Sequence, residues 1–187
     1  TLSEFMFGAG KGSKNMVFVT VSTGIGGGAI INGNIYRGST SNALEIGHIT
    51  VMQGGPRCGC GNTGCAEALA SGTAIGKRAK EALDSKVETS LRNYENVSAA
   101  EVFIEAEKGD KVSKEILDNA LSYLGITMAN IANSFDPDMI VVGGGNMGQA
   151  LSNYTALERN GFKIKGIFDV NPESFGKKIR NITIRST

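Results

Sequence analysis

The chain has little of what marks the more specialised classes of protein. Its 187 residues include no tryptophan, three prolines, one histidine and three cysteines, and the net charge at pH 7 is +1. Acidic and basic residues are interspersed, which gives neither the basic surface of a nucleic-acid-binding protein nor a polybasic membrane patch. No apolar run approaches the roughly 18–20 residues of a membrane span, and the first residues do not resemble a signal peptide. We therefore expect a globular protein without nucleic-acid or membrane partners.

The three cysteines all lie in one glycine-rich stretch, CGCGNTGCAE at residues 58–67. An odd count and the poor geometry of a Cys-x-Cys bridge disfavour a disulfide. The spacing instead favours a tetrahedral zinc ion held by Cys58, Cys60, Cys65 and the single histidine, His48. Four protein ligands leave no position for water, so such a site is structural. The alternative is that the cysteines are small buried residues and the histidine is an ordinary surface residue.

Hydrophobic periodicity predicts an α/β lobe, because strand hairpins are followed by helices and by strand–helix units. A helix is expected to end within residues 1–7, and Ser98 with Glu101 forms a capping-box pattern. The predicted strands are 16–22, 28–31 with its flanks, 139–142 and 179–184, and 45–52 is predicted as a short strand or a strand edge. One predicted helix begins near Ala66, and the others cover 73–83, 98–108, 111–134 and 147–159.

Two of the glycine clusters resemble nucleotide-binding loops but match them poorly. GAGKGS at 8–13 fails as a P-loop, because Phe5 occupies the first glycine position and Gly12 the serine or threonine position. GGGNMG at 143–148 fits G-x-G-x-x-G between a strand and a helix, as in dinucleotide-binding proteins. It is a weak motif alone, and no convincing acidic residue follows a second predicted strand.

A third glycine cluster, STGIGGG at 22–28, joins two predicted strands. Backbone N–H groups at such a tip can form a nest for an anion, and Thr23 adds a hydroxyl. Taken alone, the pattern favours a tight hairpin whose glycines adopt positive φ angles.

Two acidic residues lie close in sequence to the proposed zinc ligands. Glu45 precedes His48 by three residues, and Glu67 follows Cys65 by two. A metal shared by His48 and Cys65 would draw both carboxylates into one neighbourhood, where they would suit the hydroxyls of a polyol. Alternatively, Glu67 is an acid favoured in the first turn of a helix and Glu45 an exposed loop residue. Spacing alone does not favour either interpretation.

Together these motifs resemble the ROK family of sugar kinases and sugar-responsive repressors. Residues 58–67 match the family's Cys-x-Cys-Gly-x-x-Gly-Cys-x-Glu signature, and Glu45-Ile46-Gly47-His48 resembles its Glu-x-Gly-His element. VTVSTGIGGGAIING is similar to its second phosphate motif and IVVGGG to its adenosine-side glycines. The resemblance spans nearly the whole chain, and the cysteine signature is specific.

The resemblance implies the C-terminal lobe of the actin-like, ribonuclease-H-like ATPase fold, with a zinc-bound loop. Structural zinc would be bound by His48, Cys58, Cys60 and Cys65, and sugar hydroxyls by Glu45, His48 and Glu67. Thr23 and Gly24 would contact ATP phosphates, and Gly143, Gly144 and Gly145 the adenosine. The implied activity is phosphorylation of a hexose by ATP with Mg²⁺, glucose first, in a cytoplasmic homodimer.

Two departures from the family pattern qualify these implications. The catalytic Asp segment and the first phosphate loop are expected before Thr1, so residues 1–187 would be a C-terminal lobe, also cut at its C-terminus, that does not turn over alone. The loop at 38–44 has less glycine than in glucokinase-like members, which leaves N-acetylmannosamine, N-acetylglucosamine and fructose as alternative substrates. A sugar-sensing repressor lobe and a zinc-stabilised interaction module are the alternative functions, and the balanced charge disfavours the latter.

Overall fold

The structure is a computed structural model, and it describes residues 1–143, 145–153, 166–169, 172–179 and 182–186. The chain begins with a short helix, α1 (Leu2–Met6), followed by three consecutive strands. These strands are β1 (Met16–Val21), β2 (Ile25–Ile31) and β3 (Asn34–Tyr36). After a 3-10 turn at Ile46–His48 and the cysteine loop come α2 (Ala66–Ala70) and α3 (Gly72–Asp84). In the described part of the chain, no helix has the length and apolarity that a membrane crossing requires.

The middle of the chain is helical and leads back to the sheet. A 3-10 turn at Ser90–Asn93 is followed by α4 (Ala99–Lys108) and α5 (Lys111–Phe135). The strand β4 (Met139–Val142) then precedes α6 (Asn146–Asn153). The four strands form one sheet in the order β3-β2-β1-β4, in which β4 is parallel to β1 and the hairpin strands are antiparallel. The carboxyl ends of β1 and β4 therefore meet at one edge of the sheet.

The sheet separates two apolar clusters, because alternate residues of a strand point to opposite faces. Val17 and Val19 of β1 join the main core with the buried residues of α2 to α5, among them Ile75, Leu124 and Ile131. Met16, with Ile30 and Val141, faces the other side, where Phe5 and Ala9 pack against it. The main core thus holds the helices that follow the cysteine loop firmly against the sheet.

A second, three-stranded sheet lies in the C-terminal part. It contains β5 (Ile167–Asp169), β6 (Lys178–Ile179) and β7 (Ile182–Ser186), in the order β5-β7-β6. The pair β5 and β7 is parallel and the pair β6 and β7 antiparallel. The predicted strand 179–184 is wrong in its bounds, since two strands cover this region. The predicted helix 147–159 is described only as far as Asn153, and its remainder lies outside the described residues.

The predicted strand at 45–52 is also wrong. The segment forms a 3-10 turn at Ile46–His48 and then a single bridge between Thr50 and Cys65. Ile46 packs on β2, since a Cβ built on Gly27 would lie 2.6 Å from Ile46 Cδ1, and Ile49 and Val51 pack against the main core. The segment thus has apolar residues that face the core without the ladder of a strand.

Candidate metal centre and substrate site

His48, Cys58, Cys60 and Cys65 form one cluster, with their ligand atoms all within 4.8 Å of one another. The Sγ of Cys58 lies 3.6 Å from His48 Nδ1, and the Sγ atoms of Cys60 and Cys65 are 3.7 Å apart. Around a tetrahedral zinc ion with Zn–S of about 2.3 Å and Zn–N of about 2.1 Å, ligand atoms are about 3.5–3.8 Å apart. The observed distances and the three-sulfur, one-nitrogen donor set therefore fit zinc.

The cysteine loop is held in this shape by its own backbone. The N–H of Cys58 donates to Asn62 O at 2.8 Å, and the N–H of Gly64 donates to Pro56 O at 2.8 Å. Gly64 has a φ of +69°, and a Cβ there would lie 1.7 Å from the carbonyl oxygen of Met52. Glycine is thus required at position 64 both by conformation and by space. Three cysteines folded back on a local loop can reach one metal ion without help from distant elements.

The thiols of the cluster differ in their surroundings. Burial raises the pKa of Cys65 to about 12, and hydrogen bonds with the neighbouring cysteine thiols add to that rise. A hydrogen bond with the Asn62 backbone lowers the pKa of Cys60, which is exposed. A bound cation stabilises thiolates, so it would offset the cost of ionising the buried Cys65.

Glu67 connects the cluster to the β1–β2 hairpin. Its Oε2 accepts a hydrogen bond from the N–H of Ile25 at 2.9 Å, and its Oε1 lies 4.0 Å from Cys58 Sγ. Two carboxylate oxygens offer about four acceptor positions, so further donors can still bind. Sequence spacing left the surroundings of Glu67 open. In the structure its carboxylate lies beside Cys58 and contacts the hairpin tip.

Glu45 lies at the N-terminal end of the 3-10 turn that contains His48, and it is exposed. The turn itself packs tightly on the hairpin, because a Cβ on Gly47 would lie 2.1 Å from the carbonyl oxygen of Ile25. Glu45 is therefore available to a ligand from solvent, while His48 is oriented towards the cysteines.

The hairpin tip, residues 22–25, lies at the start of α3 and includes the Ile25 N–H that donates to Glu67. The Gly72 N–H donates to Ser22 O at 2.7 Å, and the Thr73 N–H donates to Thr23 O at 3.4 Å. The sequence motifs did not identify Gly72. In the structure a Cβ there would come within 2.9 Å of Ser22 O. Thr23 is exposed at this tip, where a ligand from solvent can reach its hydroxyl.

Gly143 follows β4 at the same edge of the sheet as the hairpin tip. Its N–H donates to Val19 O of β1 at 3.1 Å, two residues before that strand ends at Val21. Built Cβ atoms on Gly143 and Gly145 would meet no atom of the described residues within 4 Å, so these residues leave the approach to this backbone open. Gly144 lies outside the described residues. The two predicted parts of an ATP site are thus on neighbouring strand ends.

A sequence model of the ROK family matches residues 1–160 of the 187. The chain belongs to the ROK family. A second family model, the CoA binding domain, matches residues 136–187 and overlaps the end of the ROK match. The sequence-based assignment to the ROK family is therefore confirmed, and the C-terminal quarter has an additional similarity that the sequence analysis did not identify.

ROK relatives of this chain include both enzymes and regulators. The glucokinase of Halalkalibacterium halodurans is 44% identical over 149 residues, which cover 77% of this chain and 45% of that protein. The N-acetylmannosamine kinase of Vibrio cholerae is 39% identical over 71% of this chain and 42% of its own length. The xylose repressor of Bacillus spizizenii is 39% identical over 74% of this chain and 33% of its own. The chain thus spans less than half the length of these relatives.

Solved structures of ROK proteins have the same fold. The ROK hexokinase of Thermus thermophilus matches with a TM-score of 0.75 and 33% identity, over 90% of this chain and 57% of the hexokinase. The Streptomyces griseus glucokinase, solved with glucose and AMPPNP, matches with a TM-score of 0.65 and 33% identity, over 76% of this chain and 48% of its own. The α/β fold is therefore that of the ROK kinases, as the sequence predicted.

Proposed function

We propose that this chain is the sugar- and metal-binding lobe of an ATP-dependent hexose kinase, with glucose as the substrate. The observation that supports this best is the contact between Glu67 and the hairpin tip. It joins a candidate sugar acceptor and a candidate phosphate loop in one site, and a kinase must bring sugar and phosphate together.

In this proposal the sugar hydroxyls donate to the carboxylates of Glu45 and Glu67 and accept a hydrogen bond from the ring N–H of His48, because its Nδ1 faces the cysteines. Zinc held by His48, Cys58, Cys60 and Cys65 supplies no reactive water, because its coordination sphere is closed, and it fixes the loop that carries the sugar acceptors. A histidine with one ring nitrogen towards the metal still has the other available for a sugar hydroxyl.

ATP would bind at the sheet edge shared by β1 and β4. Thr23 and Gly24 would contact its phosphates, and the glycines 143–145 its adenosine, with Mg²⁺ accompanying the phosphates. Phosphoryl transfer also needs a base for the attacking hydroxyl and charge stabilisation from the other side of the cleft. We assign these groups to the part of the relatives that this chain does not cover.

A chimera tests the proposal directly. The chain would be joined, on its N-terminal side, to the upstream part of the Halalkalibacterium halodurans glucokinase and assayed with ATP and a panel of glucose, N-acetylmannosamine, N-acetylglucosamine and fructose. We expect the highest kcat/KM for glucose, and a loss of about 100-fold or more in Glu45→Gln, because a lost charged acceptor weakens sugar binding and positioning. A folded, zinc-loaded chimera that phosphorylates none of these sugars would contradict the kinase proposal.

A repressor's sugar-sensing lobe is a second candidate, and the similarity to the xylose repressor favours it. Sensing needs the sugar acceptors but not phosphoryl transfer. The chimera therefore separates the two, since a sensor lobe would bind sugar, by calorimetry, without turnover.

Residues 136–187 support a second candidate for the glycines after β4, namely the start of a nucleotide-binding strand–helix unit. The match to the CoA binding domain covers this segment, and a Cβ on Gly148 would lie 1.9 Å from the carbonyl oxygen of Gly143. The third glycine of G-x-G-x-x-G has this role in bringing helix and strand together. The strand β5 ends on Asp169, 21 residues after Gly148, which is the sequence distance typical of an acidic residue in such units, although β5 pairs with β7 and not with β4.

The two assignments of these glycines are alternatives, and calorimetry with ATP, CoA and NAD distinguishes them. Binding of ATP that is weakened by Thr23→Ala would support the kinase assignment. Binding of CoA or NAD that is unaffected by Thr23→Ala and lost in Gly148→Ala would support the second.

A further inference from the structure

Glu67 lies between two parts of the site with different chemistry, the hairpin tip and the metal cluster. It is in the first turn of α2, directly after Cys65 and Ala66, both of which are completely buried. The start of this helix is fixed in the core, while the Glu67 side chain itself is half-buried. A short displacement of its carboxylate is therefore possible without movement of the helix.

One carboxylate oxygen of Glu67 faces the hairpin. Oε2 accepts from the Ile25 N–H at 2.9 Å, and Ile25 is the first residue of β2. A Cβ on Gly24 would lie 2.6 Å from this oxygen, so only glycine at position 24 permits the approach. A hydrogen bond from a backbone N–H to an ionised carboxylate is among the stronger ones in proteins.

The other carboxylate oxygen faces the metal cluster. Oε1 lies 4.0 Å from Cys58 Sγ, and that sulfur lies 3.6 Å from His48 Nδ1. Because a carboxylate is a rigid planar group, a change in the position of Cys58 that moves one oxygen also moves the other. The hydrogen bonds from α3 to the tip differ from the contact of Glu67. The N–H groups of Gly72 and Thr73 donate to carbonyl groups of the tip, and these two hydrogen bonds do not involve the metal cluster.

We propose that Glu67 is a positioning residue that couples occupancy of the metal cluster to the conformation of the hairpin tip. The proposal rests on the proposed function for the roles of the metal and of the tip, and it adds a regulatory link between them. A chain without metal would then present Thr23 and Gly24 less well ordered to a phosphate, although neither residue contacts the metal ligands.

A second structural link between the metal cluster and the hairpin must be distinguished from the link through Glu67. The 3-10 turn that contains His48 also packs on the hairpin, since Gly47 lies against the Ile25 carbonyl. The variant Glu67→Ala removes the link through Glu67 and keeps the second. The variant Gly24→Ala retains Glu67 and displaces its carboxylate from the tip, because the added Cβ would lie 2.6 Å from Oε2.

Hydrogen exchange of the Ile25 amide, measured by NMR on the 187-residue chain with and without zinc, tests the coupling. We expect zinc to slow this exchange about tenfold in the unaltered chain and less than about twofold in Glu67→Ala. The same dependence on zinc in both proteins would overturn coupling through Glu67 and assign it to the Gly47 contact. A chain that binds no zinc would instead overturn the metal centre itself, and the coupling with it.

Zinc affinity, measured by competition with a chromophoric chelator, is the reciprocal test. We expect Gly24→Ala to weaken zinc binding about tenfold, because two coupled sites affect one another equally and the variant breaks the contact of Glu67 with the tip. The matched control is Gly26→Ala, where a Cβ would meet only Thr20 Cγ2 at 3.4 Å and zinc affinity should stay within about twofold. Equal affinities in the two variants would contradict the proposal, even if Glu67→Ala failed to fold.

Discussion

At the scale of single residues, the cysteine loop depends most on Gly64. Its φ of +69° and the 1.7 Å between a built Cβ and Met52 O leave no room for a side chain, and the obstructing atom is backbone. We expect Gly64→Ala to lower the free energy of unfolding by about 1–3 kcal/mol and to reduce the bound zinc below one ion per chain. Denaturant unfolding and elemental analysis of the purified variant measure both effects.

The control for this prediction lies in the same loop. A Cβ on Gly59 would meet no atom within 4 Å, and its φ is not in the left-handed region, so Gly59→Ala should keep both stability and zinc. Equal midpoints of denaturant unfolding for Gly64→Ala and Gly59→Ala would contradict the prediction. They would show that the loop relaxes easily around the methyl group added at position 64.

At the scale of elements, α4 is tied to the preceding 3-10 turn by the carboxylate of Glu105, which is 5% exposed. It accepts hydrogen bonds from Lys108 Nζ at 2.6 Å, from Tyr94 Oη at 2.7 Å and from the Ser90 hydroxyl. The bond from Lys108, followed by those from Ser90 and Tyr94, lowers the pKa of Glu105 from 4.5 to about 2. The network is distant in sequence from the zinc ligands and has a structural role.

This lowered pKa predicts how stability depends on pH. A carboxyl whose pKa is lower in the folded than in the unfolded state stabilises the fold above the unfolded value, near 4.5, and that contribution is lost as pH falls towards about 2. We expect Glu105→Gln to be less stable than the unaltered chain at pH 7 and to lose less stability between pH 4.5 and 2. Urea unfolding at several pH values measures this.

The exposed Glu81 on α3, whose side chain is 62% accessible and lies 4.0 Å from Lys77, provides the control for Glu105. Exposed pairs of this kind contribute little, so Glu81→Gln should follow the pH dependence of the unaltered chain. If the stability of Glu105→Gln also followed the pH dependence of the unaltered chain, the stabilising role of the Glu105 network would be contradicted.

The elements and contacts that the sequence predicted correctly are those with local causes. The capping box at Ser98 and Glu101 is present, and the long helix and the strands at 16–22 and 139–142 occur nearly as predicted. His48 and the three cysteines also come together as their local spacing predicted, while the zinc ion itself stays a prediction. The contact of Glu67 with Ile25 could not be predicted, because it joins residues 42 apart through the packing of α2 against a hairpin. The false strand at 45–52 has the same cause, since apolar alternation does not reveal which surface a side chain packs on.

At the scale of the whole molecule, the groups proposed to bind sugar and phosphate are close together. The hairpin tip and the glycines after β4 share one sheet edge, and Glu67 joins the tip to the proposed sugar acceptors. The chain spans 45% of the Halalkalibacterium halodurans glucokinase, and we assign the base and the first phosphate loop to the part of the relatives that it does not cover. Because phosphoryl transfer depends on positioning and charge stabilisation from both sides, ligand binding and turnover should separate in this chain.

We therefore expect the zinc-loaded 187-residue chain to show no ATP-dependent phosphorylation of glucose in a coupled assay, while the chimera with the upstream glucokinase part is active under the same conditions. The rate should be restored only by covalent or non-covalent addition of that upstream part, since we assign the base and the first phosphate loop to it. Phosphorylation by the purified chain alone, abolished by Glu45→Gln, would contradict this and place a complete catalytic site on one lobe. Activity that Glu45→Gln does not change would instead point to a contaminating kinase, because it would not depend on a sugar acceptor of this chain.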